Sequence, residues 1–89
     1  MKDPYLEVTF RRGKPFAAYL YLSRQPGDKS CTTSKEEPGL VVDINANGIP
    51  IGIEITAPSM VTTDDINRIL VKLGLSTISS DELTPLRAA

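Results

Sequence analysis

Leu6, Val8 and Phe10 alternate with Glu7, Thr9 and Arg11, the period of two that a strand with one buried face imposes. Arg12-Gly13-Lys14-Pro15 interrupts the alternation with turn-forming residues, and Phe16, Ala18, Leu20 and Leu22 resume it. The segment predicts a hairpin with all of these apolar positions turned inward. Its other side carries Ala17, Tyr19 and Tyr21, so it is not a plainly polar face. Ser23 to Gly39 is rich in Ser, Thr, Lys, Glu, Gly and Pro and is long for a structureless connection inside a small domain. Within it, Cys31 to Glu36 has the Thr content and alternation of a short extra edge strand.

Leu40, Val42 and Ile44 alternate with Val41, Asp43 and Asn45, and Ile49, Ile51, Ile53 and Ile55 alternate with Pro50, Gly52, Glu54 and Thr56. Asn47-Gly48 between them is a preferred tight-turn dipeptide. A two-residue loop there sets Ala46 opposite Ile49, Ile44 opposite Ile51, Val42 opposite Ile53 and Leu40 opposite Ile55, and so places every apolar residue on one face. Pro50 donates no ladder hydrogen bond and suits an edge strand or a strand start. Farther on, Thr62 and Asp65 form a capping-box pattern, Val61 and Ile66 are spaced as a staple, and Ile66, Ile69, Leu70 and Leu73 share one helical face. Lys72 and Gly74 mark the end of that helix. Ser80 to Leu83 starts at most a further short turn, which Pro85 curtails.

The predicted architecture is α+β: a small antiparallel β-meander of about four strands, with a possible extra edge strand and one C-terminal amphipathic helix packed on one face. Residues 1–75 form the single domain and residues 76–89 a tail. The chain has 89 residues, 40% of them hydrophobic and 24% charged, with a formal net charge of −1, a balance that fits a globular chain and argues against a nucleic-acid partner. It has no histidine, which removes Ser/His and Cys/His catalysis and imidazole metal ligation. The single cysteine, Cys31, forms no disulfide within the chain, and Met-Lys-Asp-Pro at the start lacks the apolar core of a signal peptide. A cytoplasmic protein with no membrane span is expected.

Asp43-x-Asn45-x-Asn47-Gly48-x5-Glu54 matches the calcium-loop pattern of an EF-hand, but its flanks alternate with the period of strands and Pro50 falls inside it, so a hairpin is the better reading. In that hairpin Asp43 faces Gly52, and Asp43 and Glu54 are diagonal neighbours about 7–8 Å apart on the second face. They are the weak candidates for a metal ion or for acid–base hydrolysis, against the more ordinary role of a solvated or interface-lining pair. Arg11, Arg12 and Lys14 cluster at the first hairpin tip, where a solvated tip is the simpler reading than a phosphate site. The glycines are isolated and no cofactor motif is present. Tyr19, Tyr21 and Val41 on the second face are the candidate interaction surface, and they point to a homodimer or a protein partner.

Three stretches, Ala18-Tyr19-Leu20-Tyr21-Leu22, Glu36-Glu37-Pro38-Gly39-Leu40-Val41-Val42-Asp43 and Gly48-Ile49-Pro50-Ile51-Gly52-Ile53-Glu54-Ile55, resemble a family of small uncharacterised bacterial proteins. Its pattern runs A-x-Y-I-x-L, then P-G-V-x-V-D, then G-I-E-I. The resemblance spans about residues 5 to 75 and implies a small antiparallel sheet with a helix. It supplies no catalytic residues, and it implies an antitoxin-like role. The acidic turn usual before A-x-Y is replaced here by Arg11-Arg12-Gly13-Lys14-Pro15, so a site built on that turn does not carry over. The resulting expectation is a non-catalytic interaction module without a cofactor, with a small acid–base hydrolase or metal-binding protein using Asp43 and Glu54 as the alternative.

Overall fold

A computed structural model describes residues 5–22 and 27–87. The opening residues 1–4, on which the signal-peptide reading rests, residues 23–26 of the low-signal segment and residues 88–89 of the tail lie outside the described residues. Five strands, β1 (Tyr5–Arg11), β2 (Lys14–Tyr21), β3 (Thr32–Glu37), β4 (Leu40–Ile44) and β5 (Pro50–Ile55), form one antiparallel sheet in the order β1-β2-β5-β4-β3. The expected four strands are therefore five. The extra edge strand is fully formed, and its polar Thr32-Thr33-Ser34-Lys35 run suits an edge, where a charged side chain discourages further pairing. A hairpin, β1-β2, joins a meander, β3-β4-β5, through β2–β5 pairing, which puts β5 at the sheet centre. Pro50 is tolerated because it is the first residue of that strand.

The β4–β5 register matches the expected one away from the turn and departs from it near the tip. Leu40 pairs Ile55, Val42 pairs Ile53 and Asp43 pairs Gly52, but Ile44 pairs Pro50 across an irregularity. The cause is Asn45. Its side-chain Oδ1 accepts the backbone N–H groups of Asn47 at 2.9 Å and Ile49 at 3.0 Å, while its own N–H donates to the Ile49 carbonyl at 2.9 Å. This closes a loop of Ala46, Asn47 and Gly48, with Gly48 at φ +80°, instead of the expected two-residue turn. A one-residue bulge at Ile51 then restores the apolar register. Ile49, expected inside, is left 50% exposed.

The other aromatic positions of the first hairpin also depart from expectation. Phe10 and Phe16 are 49% and 53% exposed, because a bulge between Thr9 and Phe10 sets Phe10 opposite Pro15 and carries the tip beyond the core.

Helix α1 (Thr63–Lys72) packs on one face of the sheet through Ile66, Ile69 and Leu70. Thr62 and Asp65 make the reciprocal capping box. The end is a Schellman closure, with Leu75 N–H on the Leu70 carbonyl at 2.8 Å, Gly74 N–H on the Val71 carbonyl at 3.0 Å and Gly74 at φ +76°. Arg68 pairs with Glu37 at 2.8 Å and Lys72 with Glu36 at 2.9 Å, fastening the helix to β3. Both cations are largely exposed, so these pairs orient the helix more than they stabilise it.

Beyond the helix, the segment expected to be a tail is part of the fold. Ile78, Leu83 and Leu86 are buried in the same core cluster as Leu20, Val42 and Ile53, so the core extends past residue 75. Ser80–Arg87 forms a 3-10 helix where at most a short turn was expected, and a shorter one, Pro58–Met60, precedes α1. The signal missed is a side-chain clamp: the Asn67 carboxamide donates to the Ile78 carbonyl at 2.9 Å and accepts the Ile78 N–H at 2.8 Å. This clamp and the helices lie on one side, and the opposite face of the sheet has no element packed across it among the described residues.

Candidate functional site

Antiparallel partners point to the same face, so the pairing registers read out the open face as rows across the strands. One row runs Glu7–Tyr19–Glu54–Val41–Lys35, and the next runs Tyr5–Tyr21–Gly52–Asp43–Thr33. Tyr19, Tyr21, Val41, Asp43 and Glu54 are thus brought together on one surface. Tyr21 stacks at 4.7 Å edge-on to Tyr19 and at 5.6 Å, tilted, to Tyr5, and its hydroxyl donates to Glu7 Oε1 at 3.1 Å.

The centre of the face is polar. Tyr19 leans diagonally across Gly52 and donates its hydroxyl to Asp43 Oδ2 at 2.7 Å. A Cβ at Gly52 would lie 2.0 Å from the Tyr19 hydroxyl oxygen, so the phenol can occupy this position only over a glycine. Asp43 is 6% exposed, and its other oxygen, Oδ1, is buried with no hydrogen-bond donor. Glu54, diagonal to it, is half-buried. The hydrogen bond to Asp43 raises the Glu54 carboxyl above its ordinary value of 4.5, and burial and the Asp43 charge push it the same way. Two bare carboxylates cannot hydrogen-bond to each other, so Glu54 could donate to the unpartnered Asp43 oxygen only with a proton on its own carboxyl.

The diagonal placement of Asp43 and Glu54 follows the sequence register, with Val41 opposite Glu54 and Asp43 opposite Gly52. Tyr19, expected as apolar interaction surface, is a hydrogen-bond donor within the same cluster. The available signal was Gly52 itself: a glycine in the interior of an isoleucine-rich strand marks a close approach by another group.

Two neighbouring carboxyls are groups that proton transfer can use. The hollow beside it, lined by Glu7, Thr9, Ala17, Tyr19, Glu54 and Thr56, is about 200 Å³, below the roughly 300–1,000 Å³ of small-molecule pockets. Among the described residues no group of three or more His, Cys, Asp or Glu side chains is placed to hold a metal ion. The calcium-loop pattern is taken apart by the hairpin: Asn45 is committed to the turn and to Asp28 Oδ1 at 3.2 Å.

The remaining candidates lie elsewhere. Cys31 is exposed at the start of β3. Arg11, Arg12 and Lys14 line an open hollow of about 660 Å³ with Pro15 and Phe16, and the Arg11 guanidinium sits 4.8 Å over the Phe16 ring.

No curated protein and no solved structure matches the chain. Residues 17–58, which run from within β2 to just beyond β5 and carry Tyr19, Asp43 and Glu54, match the model of the family described as Protein of unknown function (DUF2283).

Proposed function

We propose that the protein is a non-catalytic module that self-associates as a homodimer by stacking the open faces of two sheets. The observation that carries this reading is the self-complementarity of the row Glu7–Tyr19–Glu54–Val41–Lys35. A two-fold axis along β5 lays β1 of one copy over β3 of the other. It sets Glu7 against Lys35, Tyr19 against Val41, and Glu54 against its own copy on the axis. In the neighbouring row the same operation sets Tyr21 against Asp43. Opposite charges thus meet at the rim and aromatic and aliphatic side chains meet inside it, the arrangement of a specific interface.

The face is small. Five strands spaced ~4.8 Å apart and about six residues long offer roughly 400 Å² in plan, against about 800 Å² per partner in a standard interface. The dimer is therefore expected to be weak and concentration-dependent. An antitoxin-like role, which the sequence resemblance implies, would use this face to bind a different protein in competition with self-association. A cytoplasmic setting belongs to the same reading and is supported by the exposed thiol of Cys31. No helix among the described residues is long and apolar enough to cross a membrane.

Sedimentation equilibrium over micromolar to millimolar concentrations tests the proposal with charge reversals at exposed positions. Lys35→Glu turns two symmetry-related attractions into repulsions of about 0.5–1 kcal/mol each and is expected to weaken the dimer roughly 5- to 30-fold. Mixing it with Glu7→Lys restores complementary pairs and is expected to recover a mixed dimer. A wild-type chain that stays monomeric throughout, or Lys35→Glu associating as wild type does, contradicts the reading.

A further inference from the structure

We propose that Asp43 and Glu54 together hold one proton on the open face, and that this proton gates the pairing of two copies: the dimer forms with the pair singly protonated and separates when both carboxyls are ionised. The inference rests on the self-association reading and adds its regulation.

The geometry carries it in two steps. First, Asp43 is sealed from water, with Tyr19 bound to one oxygen and nothing donating to the other. A buried carboxylate oxygen without a donor costs about 1–3 kcal/mol. The carboxyl of Glu54 is the diagonal neighbour of Asp43 on the same face in the β4–β5 register, and it can donate only when protonated. A proton fits where a larger ion does not, because Oδ1 has no accessible surface in which to seat one. Second, Glu54 lies at the middle of its row, on the central strand. The two-fold that matches Glu7 to Lys35 therefore brings the Glu54 carboxyls of both copies together. Burying two like charges on an interface axis opposes association strongly, whereas two neutral carboxyls do not.

The other charged and titratable groups on this face surround the pair. Glu7 on β1 and Lys35 on β3 sit at opposite rims, the phenols of Tyr5 on β1 and Tyr19 and Tyr21 on β2 lie to one side, and Asp43 on β4 is the other half of the pair. The sign follows from where the proton is held. Glu54 binds its proton more tightly in the folded chain than its ordinary value of 4.5 implies, and pairing tightens it further. Association is therefore fully supported while pH lies below the raised value of the free chain, and it is lost as pH rises above it through the still higher value of the dimer.

Sedimentation equilibrium from pH 4.5 to 8 on wild type, Glu54→Gln and Lys35→Glu, together with carbon NMR titration of the carboxyl groups in the wild-type chain, tests the inference. Wild-type dissociation is expected to increase by about tenfold per pH unit for each proton the dimer retains. Glu54→Gln, which donates to Asp43 at every pH, is expected to dimerise without that dependence. The NMR titration reads the shared proton directly and does not require any variant to fold. A wild-type dimer whose affinity is unchanged across the range, yet is weakened by Lys35→Glu, overturns the gate and leaves the association reading standing. Wild type and Glu54→Gln both monomeric at every pH overturn that reading and the gate with it. A Glu54 carboxyl that titrates at its ordinary value overturns the shared proton itself.

Discussion

Gly52 decides what the open face can be. A side chain there would collide with the Tyr19 phenol, and the phenol would have to leave Asp43. Gly52→Ala is therefore expected to destabilise the fold by roughly 1–3 kcal/mol, as overpacking and a lost buried hydrogen bond do. Tyr19→Phe removes the hydrogen bond without the collision and should cost about the same 1–3 kcal/mol, because it leaves the buried Asp43 Oδ2 without its donor. Urea denaturation measures both, and a Gly52→Ala chain as stable as wild type would show that Tyr19 does not need the space. Carboxyls shifted in opposite directions also set a pH window for stability, with Glu36, lowered by its hydrogen bond from Lys72, acting in the same sense as Asp65. Glu54 is raised by the hydrogen bond to Asp43, so its contribution is complete below pH 4.5 and fades as pH rises through the raised value. Asp65 is lowered by the Thr62 backbone N–H, so its contribution is present above its ordinary 3.8 and is lost as pH falls through the lowered value. Thermal melts across pH are expected to peak in the weakly acidic range, and Glu54→Gln should flatten the decline on the alkaline side.

At the scale of elements, helix α1 and the segment after it do different kinds of work. Thr62→Ala removes one half of the capping box and is expected to cost about 0.5–2 kcal/mol. Ending the chain after Leu75 removes Ile78, Leu83 and Leu86 from the core. It should lower stability by several kcal/mol, since each fully buried Leu or Ile side chain is worth about 1.5–3 kcal/mol. Circular dichroism melts of the two variants should rank the truncation well below the cap variant. These elements were unequally legible in the sequence. The helix and its cap could be read because Thr62, Asp65 and the Ile66/Ile69/Leu70 stripe are local signals. The long part of the β4–β5 register could be read because apolar alternation tolerates no slip at Val42 and Ile53. The three-residue loop could not, because the choice between two turn types lies in one side chain, Asn45, whose hydrogen bonds outweigh the Asn-Gly preference. The last helical element was legible only as a short turn: Pro85 within it argues against a helix, and the Asn67 clamp that fixes Ile78 ahead of it comes from another element. The carboxyl pair was legible as a diagonal, but the phenol that completes it comes from another hairpin and shows only in the sheet order.

On the scale of the whole molecule, the sheet has one side filled by helices and the other left open among the described residues, and the first hairpin carries a basic and aromatic tip beyond the core. The long dimension of 37 Å against 24 and 23 Å follows from that projection. On the proposed reading, Glu7 at one rim, Lys35 at the other and the Asp43/Glu54 pair between them make the face self-complementary. The most direct measurement is an isotope-filtered NMR contact experiment on a mixture of labelled and unlabelled chains, at pH 5 and high concentration. Contacts between the Tyr19 ring of one copy and the Val41 methyls of the other, and between Tyr21 and the β4 strand of the partner, are the expected result. A dimer whose only contacts between copies run through Phe10 and Phe16 at the tip or along the β3 edge, or the absence of any contact between copies, would contradict it.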